Sequence, residues 1–261
     1  MKLAVNYSLP LQKLLEEKAI SVDLIKCPEW DGLVNPALRL GDVYIHFDIN
    51  IGDGSVNKLE PSIVQYYLTI TNTPHLNVHL QGDKKLDAHS LADQRQLLNR
   101  WKEDIQHLQK QFPGVRIVAE NLPFLPGHEE LEIANNAEII TKLIRDTGIF
   151  LLLDLSHIRI TAHYSGKDYK SLVSALPTDR LQEMHLTGAK IYNNVLMDHF
   201  ELTPEDVEAA QWAIGQIKDG NWAEPEIVAF EYGGVGDVFG WRCSEQVLRE
   251  QVPLLYSLIH S

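Results

Sequence analysis

Cysteine is scarce in this chain: two in 261 residues, Cys27 and Cys243, far apart and in no CxxC arrangement. That excludes a disulfide framework and a thiolate zinc site, and leaves two free thiols. Long apolar runs are missing as well. No stretch approaches the eighteen or so consecutive apolar residues of a membrane helix, and the opening MKLAVNYSLP holds no run of signal-peptide length. The expected location is the cytoplasm, with no membrane partner. Positive charge is in deficit, 23 Lys and Arg against 36 Asp and Glu for a net charge of -13, which repels phosphate backbones. No local basic patch interleaved with aromatics reverses this, so a nucleic-acid partner is not expected. Repeats, low-complexity tracts and interdomain linkers are also lacking, so residues 1–261 read as one domain.

What the chain does have is alternation. Short apolar, β-branched runs recur at LAVN (3–6), VDLIK (22–26), VYIHF (43–47), LNVHL (76–80), VRIVAE (115–120), IFLLLD (149–154), LQEMHL (181–186) and EIVAFE (226–231). Helical spacing with start signals lies between them: Pro61 opens EPSIVQYYLTI, Ser90 precedes LADQRQLLNRWKEDIQHLQKQF, and Asn135 precedes NAEIITKLIRD with Gly148 as its stop. Asp168 precedes YKSLVSAL, Thr203 precedes PEDVEAAQWAIGQI, and Ser244 precedes EQVLREQVPLLYSLI; weaker helices are read at LQKLLEEKA and around PALRL. Eight strands alternating with about eight helices predict an α/β protein, a closed (β/α)8 barrel of the usual size of about 250 residues. An open doubly wound sheet is the alternative.

The most apolar strand, Phe150 to Leu153, runs straight into Asp154 with His157 three residues on. A strand buried on both faces can place such groups only at the rim of the sheet, where ligands bind. The other strand ends repeat the pattern: His46, His79, Glu120 with Asn121, His185 and Glu231. Histidine is 11 of 261 residues, so eight strand ends should carry roughly 0.3 by composition. Three are read there. In a barrel these positions converge on one mouth, and so many carboxylates and imidazoles are costly to bury together unless cations neutralise them. Imidazole and carboxylate without thiolate suit iron, manganese or zinc. Together with His199, the set His46, His79, Glu120, Asp154, His157, His185 and Glu231 exceeds what one ion uses. Two ions are therefore expected, with Glu120, Asp154, His185 and Glu231 forming the inner site and Glu120, Asp154 and Glu231 serving catalysis.

The segments HFDINIGDG, HLNVHLQG, VAENLP, LLLDLSHIRITA, LQEMHLTG, DHFELTPEDV and VAFEYGG resemble the xylose isomerase-like TIM barrels. Within these the chain is most similar, from about residue 40 to 235, to the multinuclear non-heme iron-dependent oxidases (MNIO), long a domain of unknown function. The resemblance implies a cluster of iron ions held by His46, His79, Glu120, Asp154, His185, His199 and Glu231. It also implies oxidative rearrangement of cysteine side chains in a peptide substrate, often with a partner protein presenting the peptide. Two positions depart from the pattern: His157 stands where the family usually has Asn, and Met197 where it has Asp. Asp198, next to Met197, is expected to point elsewhere, which predicts a third ion position that is empty or partial. His157 is what endonuclease IV relatives carry in their D-x-x-H motif.

Three side chains are candidates for substrate binding. Lys26 ends the second strand as a base or anion anchor, Asn121 stands beside Glu120, and Arg242, with Trp241, follows the glycine-rich loop GGVGDVFG. Arg159 and His163 are read as a solvated loop or as an anion contact; His75, His89, His107, His128 and His260 are assigned no role. Beside the oxidase stand two other readings. One is a sugar isomerase or epimerase acting on a small molecule with a single manganese or related ion, to which His46, His79 and His199 would be superfluous. The other is a barrel that has lost its chemistry and serves as a binding module, with Met197 as the first eroded ligand.

Overall fold

The computed structural model describes residues 1–261, excepting the side chains of Glu129 and Val238. In chain order the strands are β1 (Lys2–Asn6), β2 (Leu24–Cys27), β3 (Val43–Ile45), β4 (Asn50–Ile51), β5 (His75–Leu80), β6 (Arg116–Glu120), β7 (Phe150–Asp154), β8 (Leu181–Leu186), β9 (Gly188–Tyr192), β10 (Val195–Phe200) and β11 (Ile227–Phe230). Nine of them form one parallel sheet in the order β3-β2-β1-β11-β8-β7-β6-β5-β4. Its two edges, β3 and β4, belong to one short chain segment, so the sheet closes on itself through residues 43–51 and is a (β/α)8 barrel with its third strand bent.

Side chains complete the ladder at this bend. The Asn77 amide accepts from the Phe47 N–H and donates to the Phe47 carbonyl, at 2.7 and 2.8 Å, and Thr73 Oγ1 accepts from the Ile45 N–H at 2.8 Å. Without them the buried peptide groups of the kink would lack partners.

Alternation along each strand sorts side chains between the helices outside and the lumen inside. The outer layer is one continuous core of Leu, Ile and Val from strands and helices, with Trp101 on Leu91–Gln111 fully buried and donating its indole N–H to the Gln81 carbonyl. A small separate cluster of Ala4, Leu24, Tyr44, Ile227 and Ala229 fills the lumen. Two residues further along four of those strands stand Asn6, Lys26, His46 and Glu231. The strand pattern thus puts an apolar floor under a polar C-terminal mouth.

Two elements depart from the sequence reading. Arg159 and His163, read as a solvated loop or as an anion contact, lie on a helix, Leu155–Ser165, that begins directly after Asp154. Arg159 on it pairs with the buried Asp206 and is no anion contact, while His163 is exposed. After β8 the chain makes a hairpin, β9 and β10, with no counterpart in the predicted strands; Asn193 and Asn194 at its turn have φ of 51° and 63°, the left-handed pair that a two-residue hairpin turn demands. Gly188, at its base, lies so close to the Glu201 carbonyl that a Cβ would come within 1.8 Å of the oxygen.

Candidate metal centre at the barrel mouth

Asp154 explains why the most apolar strand ends in a carboxylate. Its Oδ1 caps the helix Leu155–Ser165, accepting the His157 N–H at 2.8 Å. Its Oδ2 is buried with no hydrogen-bond partner among the described residues. Asn121 holds this corner, its amide accepting from the Asp154 N–H and donating to the Asp154 carbonyl at 2.9 and 3.0 Å. Asn121 thus positions Asp154 through both ends of its buried amide.

Around Asp154 Oδ2 the strand ends converge. Asp154, His185 and Glu231 bring ligand atoms within 4.8 Å of one another, and so do His46, His79 and Glu120. His46 Nε2 and His79 Nε2 lie 3.1 Å apart, each 3.3 Å from Glu120 Oε2. Glu120 Oε1 faces the other way, 3.7 Å from His185 Nδ1, which is itself 3.8 Å from Asp154 Oδ2 and 3.3 Å from Glu231 Oε1. One carboxylate thus spans two ligand groups. Three of these buried atoms, Glu120 Oε2, Asp154 Oδ2 and His185 Nδ1, have no hydrogen-bond partner among the described residues. Buried polar atoms are rarely left so, and atoms of these types aimed at common points fit divalent cations.

The electrostatics agree. Burial pushes the Asp154 carboxyl up to about 6 against the pull of His157. Burial would raise Glu120 too, but His185 and His79 hold it well below the usual carboxylate range. Burial and the Lys26 charge push His46 down to about 4, leaving a neutral imidazole of the kind that binds metal. His157, despite burial, is raised to about 10 by Asp154 and Asp198.

A third group, Glu120, Asp154 and His157, adjoins the first two. His157 Nδ1 lies 2.8 Å from the Asn121 carbonyl and can donate to it, which turns Nε2 toward Asp154 Oδ2 at 3.6 Å and Asp198 Oδ2 at 2.9 Å. The expectation that Asp198 points elsewhere is therefore corrected. Strand alternation would send Asp198 and His199 to opposite faces, but β10 carries a register shift between Met197 and Phe200, and His199 sits at φ 61°. The bulge re-aims the chain so that Asp198 enters the mouth. His199 lines the adjoining cavity, and Arg242, expected at the substrate, is buried and donates to the Asp198 carbonyl at 2.9 Å between the rings of Phe200, Phe239 and Trp241.

Two residues that the sequence reading left out complete the centre. Glu183, two positions before His185 on β8 and so on the same face, accepts from His185 Nε2 at 2.7 Å and from the Tyr44 hydroxyl at 3.0 Å, and pairs with His75. His75, assigned no role, is thus part of a buried relay that fixes His185 with Nδ1 facing the ligand cluster. The signal was present as the i, i+2 pair Glu183 and His185. Finding His75 required knowing that the start of β5 and the middle of β8 meet in the lumen. Lys26, read as a base or anion anchor, is 5% exposed, paired with Glu231 and 3.2 Å from His185 Nε2. Beside it opens a cavity of about 220 Å³ walled by Tyr7, Trp30 and Phe239.

Among solved structures, the chain is similar over its whole length to a D-psicose 3-epimerase, with TM-score 0.62, 14% identity and 100% of both chains covered. It is also similar to endonuclease IV from Thermus thermophilus, with TM-score 0.61, 15% identity and 99% of each chain covered. At such identities the likeness is one of fold. Among curated proteins it is 26% identical over 153 residues to a UPF0276 protein of Chromobacterium violaceum, covering 58% of this chain and 52% of that one, so the chain spans about half the length of this relative. The model of the RiPP precursor modification enzymes MbnB/TglH/ChrH matches residues 55–216, more than half of the chain and the stretch that carries His79, Glu120, Asp154, His157, His185 and His199. The chain belongs to this family of RiPP precursor modification enzymes.

Proposed function

We propose that this protein is an iron-dependent oxidase that modifies a side chain of a precursor peptide, with the barrel mouth as its active centre. The observation that carries this reading is the convergence of Glu120 Oε2, Asp154 Oδ2 and His185 Nδ1, three buried atoms without partners among the described residues, at two ligand groups joined by Glu120. His46, His79 and Glu120 would hold one ion, and Asp154, His185, Glu231 and the other oxygen of Glu120 a second. His157, Asp198 and His199 would supply a third position. Iron there would supply redox chemistry with dioxygen as oxidant.

The chain's own residues do the rest. The carboxylates of Glu120, Asp154 and Glu231 would offset the charge of bound ions. Glu183 holds His185 in one tautomer, and Asn121 holds Asp154. The cavity walled by Tyr7, Trp30 and Phe239 has room for a side chain of a few heavy atoms. A partner protein that presents the peptide belongs to the same proposal.

A sugar isomerase or epimerase with a single ion is the other reading, and in it the group of His46, His79 and Glu120 would have no task. Anaerobic purification, loading with ferrous iron and measurement of metal per chain and of oxygen uptake decide the matter. About two or three irons, with oxygen consumed only when a cysteine-containing precursor peptide is present, is the expected result. A single manganese with ketose epimerisation would replace the proposal by the isomerase, and absence of any bound transition metal would leave a binding module.

A further inference from the structure

Lys26 carries a charge of the same sign as the ions and sits directly on a carboxylate of the ligand cluster. Its ammonium occupies the carboxylate of Glu231 and approaches His185, and both partners are buried. Those are two of the three residues of the group Asp154, His185 and Glu231. An ammonium on Glu231 and a divalent cation held by the same carboxylate at close range repel each other, in a pocket where charges are weakly screened. The group of His46, His79 and Glu120 involves neither Lys26 nor Glu231. Lys26 also lines the cavity beside Glu231, so its four-carbon stem has open space into which the ammonium can turn.

We propose that Lys26 is a tethered counter-cation: it neutralises Glu231 while the inner position is empty, and the ion entering at Asp154, His185 and Glu231 displaces it into the adjoining cavity. The inference rests on the reading of the mouth as a metal centre. It makes loading sequential, with the His46, His79 and Glu120 position filling first and the inner position filling by exchange of one cation for another. It also means that the loaded centre presents a free ammonium to whatever occupies the cavity.

Stepwise titration with ferrous or manganous ion under anaerobic conditions, with a competing chelator to resolve the two affinities, tests it on wild type and Lys26→Met. The methionine variant should take up the second ion at least about tenfold more tightly, with the total stoichiometry unchanged and the first affinity changed far less, because the repelling charge that is removed sat on Glu231 itself. The ion-free variant should melt below wild type, since Glu231 is then buried unpaired, and the loaded variant should not. Lys26→Gln, which keeps a donor toward Glu231 without the charge, should show the same tightening and covers the case in which the methionine variant does not fold. An unchanged second affinity in the variants, or a weaker one, would overturn the proposal, the latter marking Lys26 as a buttress of Glu231. If wild type itself takes up no ion, the metal reading has failed instead.

Discussion

Replacing Glu183 by glutamine tests the centre at the buried carboxylate that holds His185 from behind. The side chain is fully buried and serves His75, His185 and Tyr44 at once. Glutamine keeps the shape and removes the charge. Each of the three contacts falls from a charge-assisted bond to a neutral one, a loss of about 1 kcal/mol apiece or about 3 kcal/mol in all. For a chain of this size that lowers Tm by roughly 6 to 12 °C. The effect depends on pH. Burial would raise the Glu183 carboxyl, but His75 and His185 hold it well below the usual range. A carboxyl lowered on folding contributes stability that is present above its unfolded value, about 4.3, and is lost as pH falls through the native one. The gap between wild type and Glu183→Gln should therefore be full near neutrality and narrow in acid. Because Glu183 also fixes His185 with Nδ1 toward the ions, the variant should bind the inner ion about 10- to 100-fold more weakly. Differential scanning calorimetry and chelator-competition titration read the two effects separately. A melting loss with unchanged metal affinity would refute the relay and leave Glu183 as scaffold.

Glu120→Ala should bring bound metal below one ion per chain, since both ligand groups use this carboxylate, while changing Tm far less, because the core lies beneath the mouth; elemental analysis and thermal melting check it. Asp198→Asn should lower the occupancy of the third position and leave the other two, whereas Met197→Asp should add nothing if Asp198 already enters through the bulge; a gain in metal with Met197→Asp would show the bulge to be no substitute. In the ion-free protein, His157→Asn should destabilise at neutral pH. His157 has its value raised to about 10, so its contribution is full below about pH 6.5 and lost as pH rises through the native value. The Tm difference should vanish in strong alkali, and a constant difference across pH would deny His157 its charge.

The barrel and most of its mouth were legible in the chain because both follow from local pattern. Apolar runs of four or five residues alternating with helices leave few topologies, and strand alternation carries a residue such as Glu231 to the same face as Ala229 below it. Family membership rested on contiguous segments around Glu120, Asp154 and His185, which no folding was needed to read. Tertiary structure alone decided the rest. That Glu183 meets His75 depends on which strands face each other across the lumen, a distance of 108 residues in sequence. That Asp154 caps one helix with one oxygen and leaves the other for the cluster depends on a helix starting directly after β7. Asp198 joins the mouth because a bulge in a hairpin breaks the period of two, a departure set by a left-handed backbone at His199 rather than by the residue order around it. Lys26, too, looked like any lysine at a strand end; only the placing of β2 and β11 on either side of β1 brings it to Glu231, 205 residues away. Periodicity is a property of the chain, but which charges must share one dry space is a property of closure.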